Sequence, residues 1–461
     1  MNPTDANSNP VSPEEESLER HKKLAEVLEG KREMDWSDWA VNIYESRCLT
    51  QEGQRVALQA VDILHSTLGQ DFFQRFSAWL SRMQANDSEL APASHPVFSG
   101  GFWPMNDLPW VYSNLLRWAT QIQILLNDNR QRITLNMNSN QIRLVIKGIR
   151  NNLEPINWMS SLLQLEMAGL GLKEGWDVTL EPPLGNDKFA DVCLAHGQTT
   201  ILIETTVMRR SVPERRSLAK SQHLAFLLKN MEMKFNIRIS GSLESGGVQD
   251  ENEKQEWIST IERAAYETAQ DGIARQIQGP TGGVLTIFRP SKENELESWT
   301  LSDGPKESRV FDRLIALLRD KNRQAEGNSD PVWVRIHESA GLWEQFHLQG
   351  FTLSQTAEFL SPFLQNKMKI FPHLAGVILS PGIQWASNTL ANLLTERIEQ
   401  NGYIALCCPI PANQARTTLI IPNSGADFEV KALATFYASE DKWLDWALEQ
   451  LGYPPLDALI N

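Results

Sequence analysis

Along the first third of the chain, apolar positions recur at helical spacing. Val56 to Met83, Val111 to Leu126 and Ile142 to Ile149 place apolar side chains three and four residues apart, which predicts amphipathic helices. Residues 94–109, SHPVFSGGFWPMNDLP, are punctuated by Gly and Pro and predict a long structured loop. Trp36, Trp39, Trp79, Trp103, Trp110 and Trp118 fall in this region and are expected in its core.

From Asn151 onward the pattern changes to alternating helix and strand. A helix from Ile156 to Leu172 meets the stop signal Lys173, Glu174, Gly175, and a short strand Trp176 to Leu180 follows. The apolar runs Ala190 to Ala195 and Thr200 to Ile203 flank His196, Gly197, Gln198 and Thr199, the pattern of a β-hairpin. A helix over Leu218 to Met231 and a strand over 235–243 come next. Helices are then expected at Trp257 to Ile277, Val310 to Arg323 and Ser354 to Met368, the last broken or kinked at Pro362. Each precedes an apolar strand: 283–288, 332–337 and 375–380.

This alternation predicts an α/β fold. The expected division is an acidic disordered tail at 1–18, a Trp-rich helical domain at 19–150, an α/β core at 151–288, a linker at 289–308 and a C-terminal α/β region at 309–461. A second charged, Gly-containing stretch at 242–255 is expected as a surface loop.

Composition narrows the chemistry. The chain has 461 residues and a formal net charge of −14. That total excludes coating nucleic acid through a broad basic surface but leaves a local groove open. Cys48, Cys193, Cys407 and Cys408 show no CxxC spacing and the eight histidines are scattered, so no zinc site is indicated. No apolar run has the length of a membrane helix, and the start lacks the basic and apolar regions of a secretory signal, so a cytoplasmic protein is expected. GPTGG at 279–283 lacks the GK[ST] ending of a phosphate loop, and no GxSxG element points to acyl transfer.

The hairpin carries the strongest signal. A turn through Gly197 and Gln198 sets Asp191 directly opposite Glu204, where like charges in apolar strands need a compensating partner. The options are a shared proton, a basic side chain or a divalent cation. In the preceding helix, Glu166 lies on the stripe of Met159, Leu163 and Leu170 and is expected to face the core. Glu166, Asp191 and Glu204 together could form an oxygen-rich metal site.

This arrangement resembles the PD-(D/E)xK nuclease superfamily, the restriction endonuclease-like fold, over about residues 155–245. The resemblance implies a mixed-sheet core ordered helix, three strands, helix, strand, with Asp191 on the second strand, Glu204 as the acid of the third-strand motif and Glu166 as the helix acid. It implies Mg²⁺ or Mn²⁺ held by Asp191, Glu204 and Glu166. Two departures stand out. Ala190 occupies the usual proline position, and Thr206 stands where the motif has lysine. Lys188 and Lys220 are the nearest substitutes by sequence, Lys220 on the helix after the hairpin, and Lys321 is more remote; the Lys321 and Gln324 pair is most simply a surface pair.

Arg209, Arg210, Arg215, Arg216 and Lys220, against Glu214 alone, form a basic loop beside these acids that could position a phosphate backbone. The expected function is a metal-dependent nuclease acting on DNA, with RNA as the alternative polymer, in repair or defence. The helical N-terminal domain and the C-terminal region would supply substrate or partner specificity. A different class also fits the missing lysine: an inactive nuclease fold serving as a nucleic-acid-binding or scaffold subunit.

Overall fold

The first long apolar stretch forms two helices. In the computed structural model α1 is Trp36–Tyr44, α2 Gln51–Leu68 and α3 Phe72–Ala85. Thr50 Oγ1 accepts from the Gly53 N–H to cap α2. Gly69 ends it with φ +94, a value that favours glycine, while its N–H donates to the His65 carbonyl. The structure describes residues 35–85, 109–126, 139–209, 227, 228, 231–244, 251–279, 283–290, 299–302 and 310–461, with short interruptions inside these ranges, the longest at 386–395.

The chain divides into two units, one from 36–76, 95–211 and 307–461, the other from 1–35, 77–94 and 212–306. In the larger unit the helices continue with α4 Pro109–Leu126, α5 Ser139–Asn151 and α6 Pro155–Lys173. Gly175, at φ +79, turns the chain after α6. Three strands form a meander: β1 Asp177–Leu180, β4 Val192–His196 and β5 Thr199–Met208. A two-stranded ribbon, β2 Pro183–Gly185 and β3 Lys188–Phe189, interrupts it.

The larger unit resumes after 306 with α8 Val310–Gln324 and β10 Val332–Glu338, which pairs parallel to β5. Helix α9 Leu353–Met368 runs on through Pro362 as one element, opened by a capping box at Thr352 and Gln355. It leads to β11 Leu374–Ser380, parallel to β10. Strands β12 Ile383–Trp385, β13 Glu396–Gln400, β14 Tyr403–Ile410 and β15 Gln414–Pro422 complete a nine-stranded mixed sheet. Helices α10 Asp427–Ala438 and α11 Trp443–Gln450 follow.

Helices cover both faces of this sheet. On one, α8 and α9 pack Leu314, Leu318, Leu360 and Leu364 against Val334, Ile336, Val377 and Leu379. On the other, Thr205 Oγ1 reaches the Ser160 carbonyl of α6, and the Tyr437 hydroxyl of α10 donates to Met167 Sδ at 3.0 Å. The uninterrupted apolar text of β10 and β11 follows from burial on both faces. Trp36 and Trp39 are buried as expected.

The second unit contains helix α7 Glu251–Asp271 and a four-stranded sheet, β7 Arg275–Gln278, β8 Val284–Phe288, β6 Arg238–Glu244 and β9 Trp299–Ser302, in that order. Trp257, Ile261 and Ala265, four residues apart, pack α7 on Ile239, Leu285 and Ile287. Gly272, with φ +73, ends α7, so 275–278 is a strand instead of the helical continuation expected to Ile277. Strand β9 falls inside the expected 289–308 linker.

The sequence-based domain plan changes in one central respect. Residues 151–211 and 309–461 share a single sheet because β10 adds to β5, whereas 212–288 belongs to the other unit. Nor is the helical N-terminal region separate. Thr50 N–H donates to the Leu459 carbonyl at 3.0 Å and Arg117 of α4 pairs with Glu440 at 2.7 Å. With 212–306 set aside, the chain from α6 runs helix, three antiparallel strands, helix, parallel strand: α6, β1, β4, β5, α8, β10. The expected tail at 1–18 and the loop at 94–109, except Pro109, lie outside the described residues.

Candidate active site

The hairpin has the expected turn and register. Gly197 adopts φ +62 at the first turn position, and the ladder pairs Val192 with Ile203 and His196 with Thr199. That register carries Asp191 to the level of Glu204. At the hairpin's open end, however, the Asp191 N–H donates to the Ile203 carbonyl at 3.1 Å, so Asp191 and Val192 both face Ile203, as in a β-bulge.

The bulge directs the Asp191 carboxylate toward α6. Gln164 Nε2 donates to Oδ1 at 2.6 Å, and Oδ2 accepts from Thr205 N–H at 2.5 Å and Thr205 Oγ1 at 2.8 Å. Successive strand residues face opposite sides, so Glu204 turns to α8. There Lys321 Nζ donates to Glu204 Oε2 at 2.8 Å. Glu204 is 5% exposed. Its carboxyl is pushed above the ordinary value by burial and by the neighbouring Asp191, while Lys321 pulls it down. Glu181, which opens the ribbon, is also raised, by burial and by Asp191.

The basic group sought for this site is therefore Lys321 on α8, not a surface residue. Thr206 is half-buried, paired with Ile336 of β10, and shares the strand face of Glu204. Lys220, Arg210, Arg215 and Arg216 lie outside the described residues, as does the Lys188 side chain. Arg209 is half-buried just past β5, and its carbonyl accepts from Arg313 Nη1 at 2.9 Å.

Glu166 is placed elsewhere. Its Oε1 lies 2.6 Å from Arg416 Nη1 and 3.4 Å from Arg335 Nη2. Burial pushes this carboxyl up, but Arg416 and Arg335 outweigh it and hold it at about 2. Arg416 Nη1 also lies 3.1 Å from Glu440, which Arg117 holds from the other side. The expected third ligand is thus committed to arginines. The helical stripe misled because Leu162 to Leu170 is buried all round, leaving no single core-facing side. Two residues apart on a helix means about 200° of rotation, so with Gln164 on Asp191, Glu166 projects the other way.

Among the described residues no group of three or more His, Cys, Asp or Glu is arranged to hold a metal ion. Asp191 and Glu204 nevertheless offer hard oxygen donors suited to Mg²⁺ or Mn²⁺, with Gln164 as a neutral third. Glu204, raised by burial and by Asp191 even with Lys321 attached, sits where added positive charge is favourable. Residues fit the ion in chemistry, with fewer acids than the sequence suggested. Among the described residues Cys48, Cys193 and Cys407 form no disulfide. Among the described residues no helix is long and apolar enough to cross a membrane. No protein-family model, curated protein or solved structure matches the chain.

Proposed function

We propose that the larger unit is a restriction endonuclease-like, metal-dependent phosphodiesterase acting on DNA, with RNA the alternative polymer. The observation that carries this reading is the 2.8 Å pair between Lys321 and Glu204 next to Asp191. An acid on each hairpin strand and a lysine now lie at one end of the hairpin. The order α6, β1, β4, β5, α8, β10 supports it, because it repeats the helix, three strands, helix, strand core of that superfamily once 212–306 is set aside. The core helix after the third strand is then α8, which supplies the lysine that Thr206 cannot.

Asp191 and Glu204, near enough at the open end of the hairpin for Asp191 to raise the Glu204 carboxyl, would hold Mg²⁺ or Mn²⁺, which when bound would supply polarisation of the scissile phosphate and a better water nucleophile. Lys321 pulls the Glu204 carboxyl down against burial and Asp191, and would present an ammonium to charge developing on the phosphate. Thr205 and Gln164 fix the Asp191 carboxylate so that it need not reorganise during reaction. Arg209, which follows β5 directly, would meet the phosphate backbone. A cleavage assay with plasmid and single-stranded DNA in Mg²⁺ or Mn²⁺ tests this. Cleavage by wild type that Asp191→Ala abolishes is the expected result; cleavage indifferent to that substitution overturns the assignment.

A second reading is favoured by the three donors already on Asp191. With those bonds and the Lys321 ion pair complete, the same residues can serve as a closed structural cluster in an inactive nucleic-acid-binding or scaffold subunit. Divalent-ion binding by calorimetry separates the two: tight binding lost in Glu204→Gln counts against the structural role.

A further inference from the structure

Each oxygen of an ionised carboxylate offers about two acceptor directions. On Asp191, Oδ2 already receives the Thr205 N–H and Oγ1, while among the described residues Oδ1 receives Gln164 Nε2 alone. The remaining direction is on Oδ1, the atom that Gln164 touches. A cation joining Asp191 without breaking these bonds must therefore lie against Oδ1, beside the Gln164 amide. Gln164 is 8% exposed, and its helix α6 reaches β5 through Ser160 and Thr205, so the amide is held in place.

We infer that Gln164 is the helix-borne member of this site: it positions Asp191 and, being neutral, sets how tightly a divalent cation is held. This rests on the metal-dependent reading above. It assigns to Gln164 the place that the sequence pattern gave to Glu166. An acid at 164 would oppose Asp191 at hydrogen-bond range, where two carboxylates need a shared proton or a cation between them. Ligand charge tunes divalent-ion affinity directly. Gln164→Met keeps the length of the side chain and removes both polar atoms.

The experiment is calorimetric titration of the full chain with Mn²⁺ alone, for wild type, Gln164→Glu, Gln164→Met, Glu166→Gln and Asp191→Asn, with unfolding midpoints measured beside it. Gln164→Glu is expected to bind about tenfold tighter or more, and Gln164→Met about tenfold weaker with an unchanged midpoint. Glu166→Gln is expected to leave affinity unchanged at a lower midpoint. If Gln164→Glu folds only with the ion, its midpoint rises with Mn²⁺ more than wild type's does. Equal affinity in wild type and both Gln164 variants, with Asp191→Asn abolishing it, overturns the role of Gln164 and leaves the metal reading intact. No binding by wild type overturns the metal reading; binding gained by Gln164→Glu would then still support the inference, and none gained would overturn it too.

Discussion

Lys321 Nζ lies 2.8 Å from Glu204 Oε2 across 117 residues of sequence. Nothing local brings them together. Glu204 stands on β5 and Lys321 on α8, and between these elements the chain forms most of a separate unit. Parallel pairing of β10 with β5 requires a crossover, and α8 is the helix of that crossover. The pair is thus a consequence of topology. It neutralises one of two acids that would otherwise repel within an apolar hairpin.

The arginine network around Glu166 is expected to be a stability element. Glu166→Ala leaves Arg335 and Arg416, 0% and 4% exposed, without that carboxylate. A loss of about 3 to 5 kcal/mol is expected, read as a lower urea midpoint at unchanged slope. A shift near zero would mean that Glu440 alone neutralises the arginines.

Two groups set the acid limb of stability. Burial and then Arg335 and Arg416 hold His337 at about 4, below the ordinary imidazole value of 6.5. Glu166 is held at about 2, below the ordinary glutamate value of 4.5. Both folded values lie below the unfolded ones, so unfolding takes up protons and stability falls as pH drops. The His337 contribution is present above pH 6.5 and is lost toward about 4; that of Glu166 is present above 4.5 and is lost toward about 2. For buried Glu166 the loss is roughly 3 kcal/mol. Thermal midpoints between pH 8 and pH 3 check this, and His337→Gln should remove the decline that begins near pH 6.5.

Two glycines should respond in opposite directions. A Cβ at Gly376 would lie 2.4 Å from Trp333 Cζ3 and 2.6 Å from the Ile421 carbonyl oxygen. Gly376→Ala is expected to cost about 1 to 3 kcal/mol. At Gly148, inside α5, a Cβ meets nothing within 4 Å, and Ala there should stabilise by about 0.4 to 1 kcal/mol. Chemical denaturation of the two variants decides both.

The hairpin was legible because a two-residue turn with glycine first, between apolar runs, admits few registers, and Asp191 and Glu204 follow from it. The bulge at Asp191 was not, since it depends on how the open end meets β1 and α6. Lys321 was hidden by sequence distance, which pointed to Lys220. Gln164 was hidden by chemistry: a neutral amide in a helix buried on every side carries no signal until Asp191 is placed beside it. Strands β13 to β15 follow one another with no helix between them, so the helix-then-strand alternation carries no sign of them. The α/β class itself followed from the apolar runs of β10 and β11.

We propose that Asp191, Glu204 and a lysine from α8 form a phosphodiester-cleaving site. Its most direct test is the single-turnover cleavage rate of labelled DNA in Mg²⁺ or Mn²⁺ for wild type and Lys321→Met. Metal-dependent cleavage by wild type is expected, with a loss of about 10² to 10³-fold in Lys321→Met and the variant still folded. Cleavage at the wild-type rate by folded Lys321→Met, or no cleavage by wild type, would contradict it.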